Sequence, residues 1–270
     1  MRAFAARRDA EVRLTERARH ASELTDAARA AGCELIVAVG GDGTMNEIAS
    51  RLVGTPAILG LVPCGSGDGL GRHLKIHGPL AHVFDVLERG VPRTIDTGLA
   101  DGHAFFTAAG IGFEAEIAQR FNALQRRGFV RYVTTSAKAL RQWRPQRCIV
   151  THEAGRAELR VFTLAVGNSD QYGNDAIIAP RASVTDGALD LTAIGPVSVW
   201  NAVPLLARMF TGTLADGRNA RLWRGTKFVV EREAAGPLHT DGEVHAAGRV
   251  VEFVVRPASL RVLCPAEGTR

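Results

Sequence analysis

Six consecutive residues, Val39-Gly40-Gly41-Asp42-Gly43-Thr44, constrain this chain more than any other feature. They end the apolar, β-branched run Glu34–Val39, which reads as a buried strand of the parallel type. They precede Met45–Val53, which has a helical pattern. Three glycines let the backbone turn sharply and approach a ligand closely. The following helix aims its free N–H groups and positive end at the same point, which suits phosphate. An aspartate among phosphates is costly unless a metal or a proton transfer uses it. The plain alternative is a tight turn whose Asp42 caps the helix. Glycine density and the strand context favour the ligand reading. The logic repeats downstream. Ala57–Val62 is a second buried strand, followed by Pro63-Cys64-Gly65-Ser66-Gly67-Asp68-Gly69. A helical segment near Leu70–Leu74 places Arg72 a turn beyond. Each loop alone is weak evidence. As a pair on neighbouring strands they form a cradle for a polyphosphate.

Around these loops the first hundred residues alternate helix and strand. Residues 15–31 have helical spacing and stop at Gly32, and Pro79–Arg89 is a helix ended by Gly90. This predicts an N-terminal α/β domain over residues 1–100, with a parallel sheet and functional loops at the strands' C-terminal ends. Beyond residue 100 strand-like runs dominate: Ala104–Ala108, Cys148–His152, Leu159–Val166, Leu189–Ile194, Lys227–Glu231, Val250–Val255 and Leu260–Cys264. Helices are expected at 113–125, 130–142 and 197–209. Residues 101–270 therefore read as a β-rich, sandwich-like domain, with the last strand returning to the first domain.

Composition fits two modest domains in 270 residues. With 46% hydrophobic and 23% charged residues, a disordered chain, a collagen and a coiled coil are excluded. The longest uncharged run, Leu191–Ala207, is interrupted by Gly195, Pro196, Asn201 and Pro204, so no transmembrane helix is predicted. The N-terminus lacks the apolar core of a secretory signal. Cys33, Cys64, Cys148 and Cys264 form no CxxC pair, which fits reduced thiols in a cytoplasm. The net charge of +5 is unevenly spread: Ile117–His152 holds eight basic residues and no acid. That stretch is either a solvated helical face or a dock for an anionic bilayer. Its Phe121, Phe129, Tyr132 and Trp143 are core or interfacial anchors. No helix-turn-helix, RRM or zinc-finger pattern points to nucleic acid. His73 and His77 have no third ligand for a metal.

Thr240-Asp241-Gly242-Glu243 reads as a hairpin turn between strands, and Asp186-Gly187 as a type I′ turn. Asp186 and Asp241 are candidate carboxylates for magnesium, which spacing alone does not establish.

Five segments occur in order: GGDGTMNEIAS, LVPCGSGDGLGRHL, FTAAGIGFEAEIA, IIAPRASVTDGALDL and HTDGEV. Together, from about Val12 to Pro265, they resemble the diacylglycerol kinase catalytic family, which includes sphingosine kinases and bacterial lipid kinases. GGDGT alone is shared with NAD kinases and, loosely, phosphofructokinases. The resemblance implies an ATP-dependent lipid kinase, an NAD kinase-like α/β domain, a β-sandwich-like second domain, and ATP with Mg2+ in the cleft between them. The acceptor it implies is diacylglycerol or a sphingoid base at a membrane surface.

It also implies roles residue by residue. Gly40, Gly41, Gly43 and Thr44 fall on the phosphate loop, and Gly65, Ser66 and Gly67 on the second. Thr15 falls near the nucleotide. Asp42 falls on the essential aspartate and Glu243 on the essential acid of the DGE motif. Asp186 matches an aspartate tied to magnesium in some members, and Arg72 is placed to offset charge beside the phosphates. The family's opening strand and NP-x-[AS]-G loop have no counterpart here. Position 68 is Asp where the family usually has Asn, and 71 is Gly where Ala is common. Two alternatives follow: an NAD kinase-like enzyme, or a non-catalytic lipid-binding remnant lacking the first nucleotide-binding strand.

Overall fold

Buried apolar runs set the strands of the first domain, and a capping contact from a distant helix sets its first helix. The computed structural model describes residue 6 and residues 10–65, 67–122, 143–173 and 175–266. Ser66, most of the basic stretch (123–142) and the helix expected at 130–142 lie outside the described residues.

α1 (His20–Ala30) begins later than the spacing from residue 15 suggests, because Arg19 takes a left-handed φ of 63°. Glu47 caps it: Oε1 accepts the Arg19 N–H at 2.9 Å and Oε2 the Ala21 N–H at 3.1 Å. β1 (Leu35–Gly40) and β2 (Ile58–Pro63) pair in parallel, with Gly40 opposite Pro63. α2 (Asp42–Leu52) follows β1 and turns Met45, Ile48, Ala49 and Leu52 into the core. α3 (Gly69–His73) and α4 (Leu80–Arg89) follow β2.

Two antiparallel strands come next, β3 (Val91–Ala100) and β4 (His103–Phe105). Then follow β5 (Ala108–Gly112), α5 (Phe113–Asn122), β6 (Gln146–His152) and β7 (Gly155–Val161). β8 (Thr163–Gly167), β9 (Gln171–Gly173), β10 (Ala176–Ile177), β11 (Leu189–Ile194) and α6 (Val199–Phe210) continue the chain. It ends in β12 (Ala220–Gly225), β13 (Lys227–Arg232), β14 (Gly236–Thr240), β15 (Glu243–Ala247) and β16 (Val250–Cys264).

The long β16 joins the layers. Its first half pairs antiparallel with β13, and its last residues pair in parallel with β2, Arg261 opposite Ile58. β3 runs antiparallel along both halves, across an irregularity between Arg256 and Leu260. The sheet order is β1-β2-β16-β13-β6-β7, with β3 and β4 attached through β16. The N-terminal layer is thus mixed: its parallel pairs are β1–β2 and β2–β16, and β3 is antiparallel. A second sheet, β12-β11-β8-β5-β14-β15, is antiparallel throughout.

The two sheets face each other around one core, with Phe105, Phe228, Val230 and Phe253 from the first and Ile111, Leu164, Leu191 and Leu238 from the second. The N-terminal core is separate and takes Leu260, Val262 and Cys264 from β16.

Two strand expectations are corrected. Leu159–Val166 is not one strand: at Phe162 the chain leaves β7 in the first sheet and enters β8 in the second. Ala104–Ala108 likewise divides between β4 and β5. In both places the apolar run continues because both sheets point side chains into the shared core. Trp143 lies at the edge of that sandwich, its Nε1–H donating to the Phe162 carbonyl at 3.0 Å and its ring meeting Phe113 edge-on.

Candidate active site

The register of β1 on β2 brings the two glycine loops out of the sheet side by side. Cys64 N–H donates to the Gly40 carbonyl at 2.9 Å, which locks the loop bases together. The backbones then touch. A Cβ placed on Gly65 would lie 2.8 Å from Gly41 Cα and 2.9 Å from Asp68 Oδ1. No side chain larger than hydrogen fits there. Thr44, in the first turn of α2, folds its hydroxyl over Gly40.

Asp42 lies between the loops. Its Oδ2 accepts the Asp68 N–H at 3.1 Å and its Oδ1 the Gly69 N–H at 3.2 Å. The carboxylate thus spans from its own loop to the second. Asp68 precedes α3 with φ 47°, a left-handed conformation that Asp and Asn tolerate better than other side chains. Its Oδ1 accepts the Gly65 N–H at 3.1 Å. Burial pushes the Asp68 carboxyl above the ordinary aspartate range. The Gly65 N–H pulls it down, and the charge of Asp42 adds to the rise. A protonated Asp68 presents an O–H donor as well as an acceptor, much as an Asn amide does.

Arg72 pulls the Asp68 carboxyl down by its charge and makes its hydrogen bonds elsewhere. Its Nε donates to the Gly67 carbonyl at 2.9 Å and its Nη1 pairs with Asp175 at 2.5 Å. It therefore fastens the second glycine loop to the turn before β10. His73 adds a parallel tie, Nδ1 to Asp170 Oδ1 at 2.6 Å. Thr15 lies in an exposed segment without regular structure before α1, and among the described residues nothing hydrogen-bonds its side chain.

The Thr240–Glu243 segment is a two-residue hairpin turn. Asp241 and Gly242 take φ 49° and 84°, and Thr240 pairs with Glu243. The Asp241 carboxylate accepts the N–H groups of Phe106, Thr107 and Ala108 at 2.8, 2.9 and 3.1 Å. Asn46 Nδ2, one turn after Asp42 on α2, donates to it at 3.0 Å. Asp241 therefore joins both domains. Glu243 is exposed at the start of β15, two residues beyond Asp241.

The magnesium expectations at Asp241 and Asp186 do not fit this geometry. The lone pairs of Asp241 are taken by four N–H donors. Asp186 pairs with Arg224 and accepts the Ala188 N–H at 3.1 Å. It is not a type I′ turn either, since Gly187 alone takes a positive φ there. Among the described residues no three His, Cys, Asp or Glu side chains converge on one point.

Three residues that the motifs did not single out organise the site. Asn46 and Glu47 are polar positions inside the GGDGT helix, and each reaches a different partner. Asp96 is buried in β3. It accepts the Gly187 N–H and the Ala258 N–H, both at 2.7 Å, and so holds the TDG loop to the irregular middle of β16. Asn46 and Glu47 lie within the GGDGTMNEIAS segment, whereas Asp96 sits in a strand with other polar residues and carries no comparable signal.

The family described as diacylglycerol kinase catalytic domain matches residues 2–100, and the YegS C-terminal NAD kinase beta sandwich-like domain matches residues 107–264. The chain belongs to the family of the YegS C-terminal NAD kinase beta sandwich-like domain, whose model spans more than half of it, and its first hundred residues match the diacylglycerol kinase catalytic domain. It is a kinase-family enzyme with the YegS-type second domain. A diacylglycerol kinase of Mycobacterium tuberculosis is 29% identical over 260 residues, covering 93% of this chain and 83% of that one. The crystal structure of a diacylglycerol kinase from Bacillus anthracis superposes with a TM-score of 0.74 at 16% identity, covering 94% of this chain and 85% of that one. An NAD kinase from Archaeoglobus fulgidus, solved with ATP, shares the fold at a TM-score of 0.55 and 14% identity, covering 97% and 86%. Against a Synechocystis relative 24% identical, the chain covers 60% of that protein's length. No helix among the described residues is long and apolar enough to cross a membrane.

Proposed function

We propose that this chain is an ATP-dependent lipid kinase that transfers the γ-phosphoryl group to the hydroxyl of a lipid alcohol, a diacylglycerol or a sphingoid base. The observation that supports this reading most is the meeting of two glycine loops on neighbouring parallel strands, with the Asp42 carboxylate bridging them. Phosphoryl transfer needs positioning and charge neutralisation more than covalent chemistry. Backbone N–H groups of Gly40, Gly41, Gly43, Thr44 and Gly67 hold phosphate oxygens, joined by that of Gly65 once it is released from Asp68 Oδ1. The acceptor oxygen attacks the γ-phosphorus, the bond to the bridging oxygen of ADP breaks, and Asp42 takes the hydroxyl proton. Asp42 leaves the Asp68 and Gly69 N–H groups to do so. A magnesium ion bound with the triphosphate would neutralise phosphate charge, and Asp42, between the two loops, is the carboxylate that would meet it. Glu243, two residues beyond the Asp241 that Asn46 holds, is the second acid. Electrostatic docking of the basic stretch 117–152 onto an anionic leaflet is part of this reading, although Arg147 within it is already paired with Glu158 at 2.6 Å.

The test is γ-labelled ATP offered with diacylglycerol, a sphingoid base or NAD as acceptor, with products separated by chromatography. Label in a lipid phosphate, absent from Asp42→Ala, is the expected result. Label only in the NAD product overturns the lipid assignment. No labelled product together with no calorimetric heat on adding ATP overturns the kinase reading.

A further inference from the structure

The uncharged run that is too interrupted to span a membrane folds into α6 with its apolar side outward. Ser198 and Asn201 form a reciprocal cap at its start, the Ser198 N–H donating to Asn201 Oδ1 at 2.6 Å. Leu205 and Met209 pack inward against the cluster that includes Ile178, Ile194 and Leu214. The opposite face is bare. Trp200 is 88% exposed, Val203 71%, Leu206 53% and Phe210 58%. These four lie three to four residues apart and share one stripe. Burial does not explain them, because the side that burial needs is already supplied by Leu205 and Met209.

We propose that α6 is an interfacial helix that lies in the surface of an anionic glycerolipid bilayer, with Trp200, Val203, Leu206 and Phe210 inserted among the acyl chains. The proposal rests on the lipid-acceptor reading above and adds where the enzyme meets the membrane. Charge supports it: Leu191–Ala215 contains no Asp or Glu, and its one charged residue, Arg208, is exposed on α6. A helix with an apolar stripe, an aromatic residue at its end and a basic flank has the composition of a membrane-surface element.

Size argues against a second copy of the chain as the occupant. The stripe offers on the order of 500 Å2, below the ~800 Å2 per partner of a standard stable interface. Position supports the bilayer as well. Gly212, just after α6, sits against Ile177 of β10, where a Cβ would lie 3.1 Å from its side chain. Asp175, immediately before β10, grips Arg72, whose Nε holds the Gly67 carbonyl of the second glycine loop. A membrane reached through α6 is therefore connected to the phosphate cradle by short contacts.

The experiment uses the full chain with sedimented vesicles of phosphatidylcholine, alone or doped with phosphatidylglycerol, at low and high salt. Wild type is expected to partition onto doped vesicles, to keep most of that binding at high salt, and to show a blue-shifted tryptophan emission. Trp200→Phe should lose the shift while Trp143 and Trp223 remain. The double variant Trp200→Ala/Phe210→Ala should partition about tenfold or more weakly. Circular dichroism confirms that both variants are folded.

Unchanged partition and unshifted emission overturn the proposal. So does light scattering that shows a wild-type dimer converted to monomer by Trp200→Glu, which would make the stripe a contact between copies. Turnover on a short-chain, water-soluble acceptor separates this proposal from the kinase reading. Vesicle binding through α6 with no turnover on any acceptor removes the kinase reading and keeps the docking helix. Full turnover with α6-independent vesicle binding does the reverse.

Discussion

Two Asp-Gly pairs, Asp42-Gly43 at the start of α2 and Asp241-Gly242 in a hairpin turn, put a carboxylate against backbone N–H groups and differ in what that contact leaves free. Asp241 takes three backbone N–H donors from the strand junction 106–108 and a fourth from Asn46. Its acceptor capacity is used up and its neighbours Phe106, Thr107 and Ala108 are buried. Asp42 takes two longer bonds from a neighbouring loop. A carboxylate with every lone pair engaged fastens two segments. One with two outer bonds can exchange them for a substrate. The same dipeptide thus serves cohesion in one domain and, in the proposed function, chemistry in the other.

Substitutions sharpen or break that contrast. Asp42→Ala should cost about a thousandfold or more in turnover while melting near wild type, in labelled-phosphate assays run beside thermal denaturation. Asp241→Ala should instead lower stability by about 3 kcal/mol in urea unfolding, because three buried N–H groups lose their acceptor. If the first variant unfolds and the second merely slows catalysis, the contrast is inverted. Glu243→Ala should reduce kcat at least about a hundredfold with no stability change, since its exposed side chain fastens nothing. A rate near wild type makes Glu243 an ornament of the hairpin. Asn46→Ala should cost about 1 kcal/mol, chiefly from the hydrogen bond its Nδ2 donates to Asp241, since the Ser50 hydroxyl that also loses its acceptor is on the same helix.

The smallest effect belongs to Asp68→Asn and depends on pH. The folded protein holds the Asp68 proton more tightly than the unfolded chain, so that group favours folding at low pH and loses this as pH rises through its raised folded value. The Asn variant carries no charge to desolvate. It should melt above wild type at neutral pH, and the gap should close as pH falls below the ordinary aspartate range. A gap that persists in acid rules out ionisation as the cause.

The first domain was open to sequence reading because its strands are short apolar runs that end in glycine loops. Expected limits of Glu34–Val39 and Ala57–Val62 differ by a residue from β1 and β2. β3 was not anticipated. Val91–Ala100 contains Pro92, Asp96 and Gly98, all poor strand formers, yet it is the longest partner of β16. Its reasons are tertiary: the Phe105 ring lies where a Cβ on Gly98 would be, 2.1 Å from Cζ, and Asp96 serves the Ala258 N–H. The two runs read as separate final strands, 250–255 and 260–264, are one strand, because Ala258 adopts φ 46° and pairing with β3 resumes beyond it.

By itself the sequence determined the loop chemistry: glycines where backbones must approach, an aspartate beside them, and buried runs that fix each loop at a strand end. These depend on local sterics and on hydrophobicity, which a short segment carries within itself. The fold alone decided which aspartate is engaged and which is available, because donor count depends on strands distant in sequence. It also decided that α6 turns its apolar side outward. Periodicity locates a stripe on a helix, but only the packing of Leu205 and Met209 says which side is already covered.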